Sequence, residues 1–209
     1  MITRLTCHGD EYAALSPVFD RMKKDIVSMN PKRIGVVGSS LLVQKVVPDV
    51  NGCTIILNEN VLNMSSLDLL LVDHILPTDT CIELTPKTAN KLLRLGGELL
   101  TTDVLMTRSV PGNVRKSLAR IGFTYTRKSK SHHLVEEMVE AGFSCLRAED
   151  ITDLVRNWWE QKRQVCSSPL EESSYAYLLD DDRYSLGKAL FYFYVHAEKT
   201  YDLEEELNS

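Results

Sequence analysis

The sequence predicts a single α/β domain, a mostly parallel sheet with helices on both faces. Three observations point there. Short apolar runs (Arg33 to Gly38, Cys53 to Leu57 and Leu67 to Val72) alternate with longer segments whose apolar residues recur at helical spacing. Within each run the apolar residues are continuous instead of alternating, as in strands covered on both faces. A chain of 209 residues that is 44% hydrophobic can also bury one proper core.

Between about Glu11 and Met29, the residues Leu15, Val18, Phe19, Met22 and Ile26 share one helical stripe, and Asn30-Pro31 ends it. Arg33 to Gly38 then reads as a buried strand that turns at Gly-Ser-Ser into a helix from Leu41 to Val47. Pro48 and Asn51-Gly52 break the chain. Cys53 to Leu57 is a second buried strand ending at Asn58-Glu59-Asn60. Leu67 to Val72 is a third, followed by Asp73-His74. A helix from Thr85 to Arg94 stops at Leu95-Gly96-Gly97, and Glu98 to Thr102 resumes as a strand with Asp103 at its carboxyl end. A helix from His133 to Ala141, capped at Ser131, is stopped by Gly142, and Phe143 to Ala148 reads as a strand. Ile151 to Val165 is helical, with Leu154, Val155, Trp158 and Trp159 on its apolar face. Residues 166–184, rich in serine and acidic side chains, read as an exposed insertion, a loop or a partly helical excursion, and Leu190 to Ala197 as a final aromatic strand. The expected domain spans residues 1–200, with its first helix inside 1–30 and a frayed acidic tail over 201–209.

In open parallel sheets ligands sit beyond the carboxyl ends of the strands. That rule places Gly38 to Ser40, Glu59, Asp73, His74 and Asp103 along one rim. A net charge of −5 argues against a nucleic-acid surface. The basic stretch from Arg115 to Lys130 reads first as a solvated helix face and loop, and second as a contact for an anionic group. Five scattered cysteines without a C-x-x-C pair, together with the unclustered His8 and His196, give neither a disulfide framework nor a metal site. No run approaches the ~20 apolar residues of a membrane span, and the start lacks the order of a signal peptide, so the expectation is a cytoplasmic protein with no membrane contact.

The order of these pieces resembles class I S-adenosylmethionine-dependent methyltransferases. The resemblance rests on Leu67-Asp68-Leu69-Leu70-Leu71-Val72-Asp73-His74-Ile75-Leu76, which is similar to the family's fourth strand, and on Leu92-Leu93-Arg94-Leu95-Gly96-Gly97-Glu98-Leu99-Leu100, similar to the entry into its fifth. The segments His133 to Phe143 and Ala148 to Asp153 are similar to small-molecule enzymes of the phosphoethanolamine and glycine/sarcosine branch, nearest to phosphoethanolamine methyltransferases. The resemblance implies a Rossmann-like sheet, S-adenosylmethionine as cofactor and methyl transfer to a small amine. It places Gly38, Ser39, Glu59 and Asp73 around the cofactor and His74 near the acceptor.

Two departures stand out. The family's glycine-rich loop is here Gly38-Ser39-Ser40-Leu41, which puts side chains where the backbone normally approaches the cofactor. Only nine residues separate Leu57 from Leu67, too few for the helix and third strand that the family carries there, so the sheet is expected to be trimmed in the middle. A second function class follows from them: a non-catalytic methyltransferase-like module that binds and regulates or stabilises a partner protein, as a homo- or hetero-oligomer. His132-His133 as an anion pocket, and Trp158-Trp159 with Phe191 to Tyr194 as an aromatic box, are weaker readings than helix capping and core packing.

Overall fold

The chain is described here from a computed structural model that covers residues 12–47, 52–76, 82, 84–123 and 131–203. A 3-10 turn at Ala13–Leu15 leads into α1 (Ser16–Met29), which starts with a proline in its first turn and ends where Asn30 takes a left-handed φ of 47°. Its stripe of Val18, Phe19, Met22 and Ile26 is buried, as the spacing predicts. Strand β1 (Arg33–Val37) follows, then α2 (Ser40–Val46), β2 (Thr54–Leu57), a 3-10 turn at Asn58–Asn63 and β3 (Leu67–Val72). After α3 (Pro86–Leu92) come β4 (Leu93–Met106), α4 (Gly112–Arg120), α5 (Ser131–Glu140) and β5 (Phe143–Asp150). The chain closes with α6 (Thr152–Gln164), α7 (Pro169–Leu179) and β6 (Leu190–Lys199).

The six strands form one sheet in the order β2-β1-β3-β4-β6-β5. β2, β1, β3 and β4 run parallel, and β6 enters antiparallel between β4 and β5. Between β2 and β3 there is only the 3-10 turn, so the sheet is indeed trimmed by a helix and a strand. β2 therefore lies at the edge. This corrects the expectation of a second buried strand: Ile55 and Leu57 are 39% and 41% exposed because nothing described covers them.

Side chains alternate to the two faces of the sheet, and each face has its own core. On one, α1, α2, α4, α6 and α7 pack over Ile34, Val36, Leu69, Leu71, Leu100, Tyr192 and Tyr194. On the other, α3 and α5 pack over Val37, Leu70, Val72, Leu99, Leu105 and Val195. Trp158 and Trp159 are fully buried in the first core, their ring centroids 4.7 Å apart, so they serve core packing and form no aromatic box. α1 is tied to the sheet by Asp25, which accepts from Tyr194 Oη at 2.6 Å and pairs with Arg147.

Three further expectations are corrected. β4 starts at Leu93, not Glu98: Gly96 takes a φ of 69° inside the strand, and the pairing jumps from Leu67↔Leu93 to Leu69↔Glu98, so the two glycines form a bulge where a helix stop was expected. The segment 166–184, expected as an exposed loop or partly helical excursion, holds α7 and is not all exposed: its Tyr175, Leu178 and Leu179 are buried against α4 and α6. In the tail, Tyr201 donates its hydroxyl to Val139 O at 3.0 Å, and Asp202 pairs with the buried Lys199 at 2.5 Å. Cys7, Cys81, Lys128, Lys130 and residues 204–209 lie outside the described residues, as do the side chains of Ser131 and His132. No described helix is long and apolar enough to cross a membrane.

Candidate functional site

The carboxyl ends of β1 to β4 make the rim on which the sequence placed its candidates. At the end of β1, Gly38 has a φ of 151°, and a Cβ built there would lie 3.2 Å from the Cβ of Asp73. The Asp73 amide donates to Val37 O at 2.9 Å, which draws the ends of β1 and β3 together and leaves a side chain at 38 little room. The Gly38 amide donates to Asn58 Oδ1 at 3.0 Å. Asn58 sits at the end of β2 with a φ of 48°, a conformation asparagine tolerates better than most residues. Ser39 caps α2, its hydroxyl accepting from the Leu41 amide at 3.2 Å. The Gly38 amide and the Ser39 hydroxyl thus turn on the protein itself. Glu59 follows, exposed in the first turn of the 3-10 segment.

The next corner is built differently. Asp73 is 3% exposed, and its carboxylate accepts from the amides of Ile75 and Leu76, both at 3.1 Å, and from Thr102 Oγ1 at 2.7 Å. Burial pushes its carboxyl above the usual range, against the pull of those three bonds and of nearby His74. The Thr102 hydroxyl also accepts from the His74 amide at 3.1 Å. Asp73 and Thr102 therefore hold the turn from which His74 projects.

His74 is half-buried. It lines a small cleft with Thr101, Asp103, Thr85 and Met138, on the face covered by α3 and α5. The space inside is about 20 Å³, enough for a water molecule and far below a small-molecule pocket of a few hundred Å³. Asp103 is 4% exposed and lies inside β4, beyond the last β3 partner, Thr101, which brings it to the rim although the strand runs on to Met106. On the other face of the sheet, burial pushes the Tyr192 hydroxyl well above the ordinary range, and the charges of Asp73 and Asp103 act in the same direction.

A larger hollow, about 140 Å³, opens at the opposite end of the sheet among Asn30, Lys32, Asp68, Arg94 and Glu98. Two of its charges pair with each other: Asp68 accepts from Arg94 Nε at 2.6 Å, and also from the amides of Lys32 and Arg33, both at 2.8 Å. It lies at the amino ends of the strands, away from where such sheets bind ligands.

The structure thus brings Gly38 and Asp73 into contact, places Glu59 one strand away and sets His74 beside Asp103. His133 is exposed and bonded to Glu136 on its own helix at 2.9 Å, while Arg115 lies exposed on α4. No cluster able to hold a metal is found among the described residues. Asn58 and Thr102 are the members the sequence reading missed. The only available signal was the parallel register that pairs Val36 with Leu57 and so carries Asn58 up to the end of β1.

No protein-family model matches the sequence, and no curated protein matches it. Solved structures do. A protein of Galdieria sulphuraria assigned as a sarcosine dimethylglycine methyltransferase is 11% identical with a TM-score of 0.58, covering 88% of this chain and 86% of its own. The [4+2]-cyclase SpnF is 15% identical with a TM-score of 0.57 over 92% of this chain and 85% of its own. Phosphoethanolamine N-methyltransferase 2 of Haemonchus contortus, solved with phosphomonomethylethanolamine and S-adenosylhomocysteine, is 8% identical with a TM-score of 0.52, over 90% of this chain and 56% of its own. The chain has the class I methyltransferase fold. The cyclase among these neighbours is a reminder that the chemistry belongs to the site.

Proposed function

We propose that the chain is an S-adenosylmethionine-dependent methyltransferase acting on a small amine such as phosphoethanolamine. The observation that carries this is the rim itself: Glu59 stands exposed at the end of β2, and His74 faces a cleft at the end of β3, held there by Asp73 and Thr102. The residues suit the adenosyl half of the cofactor better than its methionine half. The Glu59 carboxylate can accept from two ribose hydroxyls, whereas the Gly38 amide already serves Asn58. When bound, the cofactor supplies an activated methyl group, which needs alignment more than covalent help. In this reading Gly38 and Ser39 shape the loop beside the cofactor, and Asp73 fixes the floor between loop and acceptor. His74 orients the amine or takes its proton.

A second reading, the non-catalytic module that binds a partner protein, is favoured by that same Gly38–Asn58 bond and by the missing strand. The two are separated by a methyl-transfer assay with phosphoethanolamine, glycine and sarcosine. The proposal expects turnover that falls at least about a hundredfold in His74→Ala, the usual span of a lost acid or base. Turnover with none of these acceptors, from a chain that does not bind the cofactor, would favour the module.

A further inference from the structure

We infer that Asp103 selects the acceptor by its head group: the cleft beside His74 takes a primary ammonium and rejects a methylated one. Calling the ligand an acceptor rests on the catalytic reading above, whereas the selection rests on the cleft. β4 runs on past its last β3 partner, and its side chains alternate between the two faces. Thr101 and Asp103 therefore join Leu99 and Leu105 on the side covered by α3 and α5. Both line the cleft with His74, and Leu84, Leu99 and Met138 give it an apolar wall. Asp103 and Thr101 are 4% and 6% exposed, so the carboxylate acts through a low dielectric and its charge is felt more strongly than at the surface.

Three groups that accept hydrogen bonds thus border one space, the Asp103 carboxylate, the Thr101 hydroxyl and the His74 imidazole. A carboxylate accepts at about four positions, so the bond from the Val104 amide at 2.8 Å does not exhaust Asp103. The Thr101 hydroxyl donates to Thr102 O at 3.4 Å and keeps its lone pairs. A primary ammonium matches this lining with one positive charge and three donors, as a lysine head does. Size and wall decide between ammonium groups. The space is about 20 Å³, which suits a head the size of a water molecule, and each added methyl brings bulk and removes a donor. Sites for quaternary ammonium surround the head with aromatic rings, and no Phe, Tyr or Trp is among the described residues that line this cleft. Phosphoethanolamine and glycine carry the primary head, and sarcosine does not.

The test is calorimetric titration of the full chain with ethanolamine, with choline and, separately, with S-adenosylhomocysteine. Ethanolamine should bind at least about tenfold more tightly than choline. Asp103→Asn keeps the size and removes the charge, and should weaken ethanolamine by about tenfold while leaving S-adenosylhomocysteine unchanged. Thermal melts show whether that variant folds. Met138→Ala widens the cleft and should narrow the lead of ethanolamine over choline, a result that decides the matter even where Asp103→Asn does not fold. Choline bound as tightly as ethanolamine, no ethanolamine binding at millimolar concentration, a folded Asp103→Asn as strong as the native chain, or a lead unchanged in Met138→Ala would each overturn the inference. Ethanolamine selected by a chain that does not bind S-adenosylhomocysteine would instead remove the catalytic reading and leave the cleft as an amine site.

Discussion

At the corner of β1 and β2, Gly38, Ser39 and Asn58 spend their hydrogen bonds on one another and on α2. At the corner of β3 and β4, Asp73 and Thr102 spend theirs on a turn that presents His74 to a cleft. The bonds of the first corner close on the loop itself, whereas those of the second support a side chain that faces a cleft. Buried polar groups are costly unless paired. At the first corner Asn58 is the partner that the Gly38 amide finds within the protein.

The largest expected effect falls on the second corner. Asp73→Ala leaves two amides and a hydroxyl without their buried acceptor and should destabilise the fold by about 3 kcal/mol, a fall in Tm of about 9 °C. Thermal denaturation with Tm within about 2 °C of the native chain would show that the carboxylate does not hold this turn. If the proposed site holds, Glu59→Ala should do the reverse, weakening S-adenosylhomocysteine binding about tenfold while leaving Tm in place, since an exposed carboxylate adds little to the fold. Equal loss of binding and stability would mark Glu59 as part of the frame.

The smallest effect is in pH. Because burial raises the Asp73 carboxyl above 3.8 in the folded chain, its contribution to stability is complete below that value and is lost as pH rises through the folded value. Thr102→Val removes a bond that favours the carboxylate and moves the folded value further up. The gap in stability between variant and native chain should therefore widen as pH rises above 3.8. A gap independent of pH would place the variant's cost in packing alone.

Much of this molecule is legible in its residues, because β1 and β3 are short apolar runs that end in glycine or aspartate, and the trimming of the sheet follows from a count of nine residues. What escaped has physical causes. Leu95-Gly96-Gly97 reads as a helix stop because a left-handed glycine serves a bulge as well as a cap. α7 is hidden by its serines and glutamates, although Tyr175, Leu178 and Leu179 carry the helical spacing and fill the core. Asn58 could not be assigned because its bond to Gly38 spans twenty residues and exists only once β1 and β2 are in register.

The most direct test is calorimetric titration of the native chain with S-adenosylmethionine and S-adenosylhomocysteine, alongside Asn58→Gly, which frees the Gly38 amide and suits the left-handed backbone. A cofactor site at this rim predicts saturable binding of one ligand per chain at micromolar strength, and tighter binding of S-adenosylmethionine in the variant. No binding by either protein at millimolar ligand would contradict it and leave the fold in the service of a protein partner.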